Sequence, residues 1–128
     1  MNRRRLVPVS CAVLLATGGA AWAHHSGVMF DRTRTIELKG TVKAFAWTNP
    51  HSWIYVVVPN AAGGTEEWGI ESGSPSFLVR TDPRWNRKAL KAGDAIGVTM
   101  HPARDGRRVG VMDQVTFANG DVLKGAGV

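Results

Sequence analysis

From Ile36 onward the chain is built of short runs in which apolar and polar side chains alternate, separated by turn-forming residues. A period of two suits a strand with one buried face; a helix needs its apolar residues every three or four positions. In the first run Ile36, Leu38, Gly40 and Val42 take one side and Glu37, Lys39, Thr41 and Lys43 the other. The phase shifts near Phe45 to Trp47, which predicts a bulge or strong bend in a long first strand. Gly40 marks a place for close backbone approach. Thr48-Asn49-Pro50 ends the run, because proline cannot donate to a ladder. Trp53 to Val58 is continuously apolar and predicts a strand covered on both faces. Beyond a turn at Asn60-Ala61-Ala62-Gly63-Gly64, the alternation of Glu66, Trp68 and Ile70 predicts a third strand. Ile96, Val98 and Met100 mark a fourth, Val109 to Phe117 a fifth, and Asn119-Gly120 a last tight turn before the tail.

One helical patch interrupts this pattern. Ser74 is a good N-cap and Pro75 suits the first helical position, with Phe77, Leu78 and Val79 expected to face inward. Asn86 to Leu90 predicts a further single helical turn. Three strands, a short helix and two strands is the order of a small all-β, five-stranded OB-like barrel. An immunoglobulin-like sandwich would need about seven strands.

The start of the chain looks like an export signal. Arg3, Arg4 and Arg5 precede an uncharged, mostly apolar stretch from Leu6 to Ala21, and Ala21-Trp22-Ala23 fits a signal peptidase site. The stretch is somewhat short for a membrane span of roughly 20 apolar residues, and no second one follows, so no stable membrane anchor is expected. The expected division is a cleaved signal peptide over 1–23 and one barrel domain over 24–128, working in the periplasm or secreted. Taking the three arginines from the formal charge of +6 leaves +3, so much of the basic character belongs to the signal. Cys11, the single cysteine, leaves with it, and the domain must stand on its hydrophobic core.

Cleavage after Ala23 would make His24 the new N-terminus, followed by His25. An N-terminal histidine offers an amine, with an ordinary pKa near 8, and a ring from one residue. With one further imidazole they form an all-nitrogen, planar set suited to Cu(II). The arrangement resembles the histidine brace of lytic polysaccharide monooxygenases and of some periplasmic copper carriers, which sit on sandwich folds. His51, in Pro50-His51-Ser52, and His101, in Met100-His101-Pro102, are the remaining histidines. Each sits beside a proline at a strand end, and His101 falls out of phase with the core-facing Ile96, Val98 and Met100. Any one of them alone reads as a solvated end or a strand cap. A histidine inventory gathered wholly at such positions argues for a metal.

Ala23-His24-His25-Ser26, Gly40-Thr41-Val42, Trp47-Thr48-Asn49-Pro50-His51, Gly93-Asp94 and His101-Pro102-Ala103-Arg104-Asp105-Gly106 together resemble the signature of a family of small secreted bacterial proteins of unknown function. The similarity covers nearly the whole mature chain. It implies that His24, His25, His51 and His101 occupy family motif positions, and it implies no activity.

Other residues enter as supporting or alternative groups. Met100 could offer thioether sulfur, Trp47 could lean on the site, Glu71 could act as an extra ligand or hydrogen-bond partner, and Asp31 could orient a histidine. Enzyme signatures are missing: there is no G-x-S-x-G, phosphate loop, H-E-x-x-H or dinucleotide fingerprint. The expectation is therefore a metal-binding carrier or storage protein, copper first and other divalent ions after it, with His24, His51 and His101 as ligands and His25 in support. A rival is a non-metal binding module for an envelope component or partner protein, using Trp47, Trp53, Tyr55 and Trp85 as an aromatic platform. A copper oxidase or monooxygenase shares the ligand set but needs a substrate surface. An exported domain at +3 is a poor candidate for nucleic acid.

Overall fold

Residues 26–125 are described by the computed structural model of the protein. The period-two runs become strands β1 (Ile36–Ala46), β2 (Trp53–Pro59), β3 (Thr65–Glu71), β4 (Ala95–Pro102) and β5 (Val109–Phe117). A single helical turn, α1 (Ser26–Met29), precedes them, and α2 (Pro75–Thr81) lies between β3 and β4. The Ser74 hydroxyl accepts from the Phe77 amide at the start of α2, with proline opening the first turn. The strands close in the order β1-β2-β3-β5-β4-β1, antiparallel throughout except for the parallel β3–β5 seam. This is an OB-like five-stranded barrel.

The first strand is shared between two partners. Ile36 to Thr41 pair with β4 and Thr41 to Ala46 with β2, so the changeover falls beside Gly40. A Cβ there would press on the Val57 carbonyl oxygen and come within 2.8 Å of Val56 Cγ1. Only glycine lets the backbones approach this closely. The bulge lies between Val42 and Ala44, a little earlier than the phase change in the sequence suggests.

Inside the ring, Val42, Ile54, Val56, Ile70, Val98, Met100, Met112 and Val115 form the core. In β2 the inward residues are buried while Trp53, Tyr55 and Val57 are half-exposed. The expected burial on both faces therefore does not occur: the second face of this strand lies on the outside of the barrel, where no sheet or helix among the described residues is stacked fully over it. In α2, Leu78 is buried and Phe77 half-buried, but Val79 points outward, because only one face of a seven-residue helix meets the barrel.

The segment after α2 departs furthest from expectation. Residues 86–90 form turns and bends rather than a helical turn. Trp85 is 1% exposed, lies 5.9 Å from the Phe45 ring and donates from its indole nitrogen to the Lys124 carbonyl. Beyond Asn119-Gly120 the chain does not run out as a tail but returns as a short strand, β6 (Val122–Lys124), paired with β5. Arg84 pairs with Asp82 and donates to the Val122 carbonyl, so the loop after α2 and the last strand hold each other.

A candidate histidine site on the outer face

The site follows from strand register. Trp53 pairs with Glu71, Glu71 with Val111, and Val111 with His101. Directly paired residues share a face, and their inward neighbours Ile54, Ile70, Met112 and Met100 fill the core, so this row lies on the outside of the barrel. Neighbouring strands are about 4.8 Å apart, which sets Glu71 and His101 about 10 Å from one another along the row.

His51 precedes β2, just after the cis Asn49–Pro50 peptide. Its Nδ1 is in hydrogen-bond contact with Glu71 Oε1, and the Glu71 side chain is only 8% exposed. His101 projects from the end of β4. Its Nδ1 donates to the Arg34 carbonyl at 2.7 Å, and its Nε2 lies 3.2 Å from Asp113 Oδ2. Because a carbonyl can only accept, the His101 Nδ1 carries the hydrogen. The Glu71 carboxylate fixes His51 the same way. Both rings are thus held by Nδ1, which leaves Nε2 of His51 as the atom that can offer a lone pair; Nε2 of His101 faces the Asp113 carboxylate, which also only accepts, and can offer one only when that contact is given up.

Between the two histidines the N-terminal arm is fastened to the barrel. Phe30 is 1% exposed and packs with Ala103 and Val111, the residue at the middle of the row. Two backbone hydrogen bonds secure it and make up the Phe30–Ala103 bridge: the Asp31 amide donates to the Pro102 carbonyl at 2.8 Å, and the Arg104 amide donates to the Met29 carbonyl at 2.8 Å. His24 and His25 lie outside the described residues, as do the apolar stretch and the cleavage site. Five residues lie between His24 and Phe30, four of them in the α1 turn.

The remaining sequence candidates fall elsewhere. Met100 is fully buried on the inner face, away from the row. Trp47 packs on Phe45, with ring centroids 5.6 Å apart. Asp31 accepts from the Thr33 hydroxyl and amide, which hold its carboxyl below its ordinary value, and Arg104 adds a weaker pull. Its contacts among the described residues involve neither His51 nor His101. Trp85, being in the core, cannot belong to an aromatic platform; Trp53 and Tyr55, stacked at 6.5 Å, are what remains of it on the outer face. On the loops, Arg84 meets the Asp82 carboxylate, Arg104 that of Asp31, Arg107 that of Asp105 and Arg108 that of Glu66. Asp113 and the Arg34 carbonyl were not singled out by sequence. Asp113 is out of phase with the inward Met112, and that was its one signal.

The model of a family described as a family of unknown function (DUF6152) matches residues 12–114, a span that takes in all four histidines and the whole row. The chain belongs to this family. No curated protein and no solved structure matches it. Among the described residues, no three His, Cys, Asp or Glu side chains come close enough together to hold a metal ion, and no helix is long and apolar enough to cross a membrane. In this DUF6152 protein His51 and His101 are therefore two separately held rings on one face, with the arm that leads to His24 and His25 seated between them.

Proposed function

We propose that the protein is an exported carrier or store for a metal ion, copper before other divalent ions, with the mature chain beginning at His24. The amine and ring of His24 and the Nε2 atoms of His51 and His101 are the ligands, and His25 supports them. The observation that carries this reading is that both rings are anchored through Nδ1 on the face where Phe30 seats the arm. A ligating histidine ordinarily donates its other ring nitrogen to a carboxylate or carbonyl, which fixes the tautomer and orients the ring. His51 does so to Glu71 and His101 to Arg34. For His101 to ligate, its Nε2 must exchange Asp113 for the metal, so binding there releases a contact as well as forming one. Imidazole and amine nitrogens suit Cu(II) best among the common divalent ions.

The test is a Cu(II) titration of the exported protein beginning at His24, beside a copy carrying one extra alanine before it. Tight binding by the first and a loss of several orders of magnitude in the second is expected. Equal, weak binding by both overturns the reading.

A second reading rests on Trp53 and Tyr55, whose stacked rings stand half-exposed on the outer face of β2. In it the domain is a binding module for an envelope component or partner protein, and a chelator leaves that binding intact.

A further inference from the structure

The charge of the domain is unevenly placed. From Val79 in α2 to Lys91 ahead of β4 the sequence has five cations, Arg80, Arg84, Arg87, Lys88 and Lys91, and one carboxylate, Asp82. Asp82 is buried and taken up by Arg84, which also donates to the Val122 carbonyl of β6. There β6 adds Lys124, whose carbonyl accepts from Trp85, and the acids that border Lys88 and Lys91 are Asp94 and Asp121. With these included, this side of the barrel holds six cations against three carboxylates, while the rest of residues 26–125 holds seven of each. The whole surplus of +3 therefore lies here.

The fold presents these cations on a firm support. Trp85 and Leu90 are buried, and between them Asn86 closes a turn: its side-chain oxygen accepts from the Lys88 amide at 2.8 Å and its carbonyl from the Ala89 amide at 3.0 Å. Arg87 and Lys88 are thereby held outward, and they are exposed, as are Arg80 and Lys91. None of these four has a carboxylate within 4 Å among the described residues, whereas Arg104, Arg107 and Arg108 are each paired. Val79, next to Arg80, is an exposed large apolar side chain within this basic segment. Cations spread along a segment, rather than gathered round one cavity, suit an array of separate negative charges. A dissolved polyanion would leave Val79 in water, whereas a bilayer offers it an interfacial zone to enter. We propose that this side of the domain binds the surface of an anionic bilayer, with Arg80, Arg87, Lys88 and Lys91 meeting the headgroups and Val79 entering the interface. The binding is peripheral and reversible, and it involves neither the histidines nor a metal.

The experiment is co-sedimentation of the metal-free exported protein with phosphatidylcholine vesicles, with and without phosphatidylglycerol. Binding only to the vesicles that contain phosphatidylglycerol is expected. It should be lost as salt rises from about 0.1 M to about 1 M, which shortens the screening length from about 10 Å to about 3 Å. Each Lys or Arg near an anionic surface contributes about a fivefold factor in affinity, so R87E/K88E should bind about 25-fold more weakly, or worse. R32E/K39E makes the same change in net charge at exposed positions outside the basic side, and should keep most of the binding. V79S, also at an exposed position, should fold as the wild type and bind up to about tenfold more weakly, the effect of burying one valine. Equal binding to neutral vesicles, binding that salt does not weaken, or equal losses in the two charge-reversed pairs overturn the proposal. V79S as tight as the wild type makes this a site for a polyanion and overturns the bilayer as its occupant. A failed copper titration leaves the proposal standing.

Discussion

Gly40 is the residue on which the bend of β1 turns, and Gly40→Ala measures its worth. The new methyl would meet the Val57 carbonyl oxygen, with Val56 Cγ1 at 2.8 Å and the Val57 carbonyl carbon at 3.1 Å. Two of these are ladder backbone atoms, which cannot swing aside as a side chain would, so β1 and β2 must separate. Overpacking of this kind costs about 1–3 kcal/mol, and a fixed neighbour puts Gly40 at the upper end. Removing a glycine from a strand returns about 0.5–1 kcal/mol of chain entropy. The net expected loss is about 2 kcal/mol. For a domain of this size that lowers the melting temperature by about 8–16 °C. Gly97→Ala is the matched control. The tightest neighbour of its Cβ is Glu37 Oε1 at 3.2 Å, the movable end of an exposed side chain, so with the same entropy return it should lie between wild-type stability and about 1 kcal/mol above it. Urea unfolding followed by tryptophan fluorescence measures both. Equal effects in the two variants, or a Gly40→Ala within about 0.5 kcal/mol of wild type, would refute the close-approach account.

Three further outcomes are expected. Glu71→Gln keeps an oxygen that accepts from His51 but removes the buried charge; copper affinity should fall about 10- to 100-fold with the fold retained, and unchanged affinity would mean that Glu71 does not support a ligand. Phe30→Ala should release the arm, raising hydrogen exchange at the Asp31 and Arg104 amides at least about tenfold while core amides such as that of Val56 stay protected; unchanged exchange would show the backbone contacts to suffice. The hydrogen bond from Arg84 holds the Asp82 carboxyl down to about 2, from an ordinary 3.8. A folded-state value below the unfolded one means that this stabilisation is full above about pH 4 and is lost as pH falls towards 2, so the stability gap between wild type and Asp82→Asn should close across that window. A gap of the same size at pH 7 and at pH 2 would rule this out.

The barrel was legible in the sequence wherever its evidence was local. Alternation around Ile36, Trp68 and Val98, the cap at Ser74-Pro75 and the close approach at Gly40 each depend on a few adjacent residues. Trp85 was not legible, because Asp82-Pro83-Arg84-Trp85-Asn86-Arg87-Lys88 has no apolar periodicity. Its burial depends on Phe45 and Lys124, each some forty residues away. The last strand escaped for a similar reason, since three residues carry too little pattern to announce a pairing. At the site, the placement of His51 and His101 at strand ends could be read directly. Glu71 could be named as a hydrogen-bond partner but not matched to its histidine: it meets His51 through the β2–β3 register, and the row from Glu71 to His101 exists only once β3 and β5 close the ring. Strand phase says which side a residue faces but not which residue stands beside it.

That closing seam has a mechanical side. It consists of three register pairs, Gly69 with Val109, Ile70 with Gly110 and Glu71 with Val111, whereas β2–β3 and β4–β5 each have seven. A ring pulled open gives way where it has the fewest rungs. The last rung of this seam carries His51 on its β3 side, through Glu71, and Phe30 on its β5 side, over Val111. A metal ion bound as proposed, between His51 and the arm in front of Phe30, would therefore act as a strap across the weakest join of the barrel, and its departure would leave the cylinder easier to unroll.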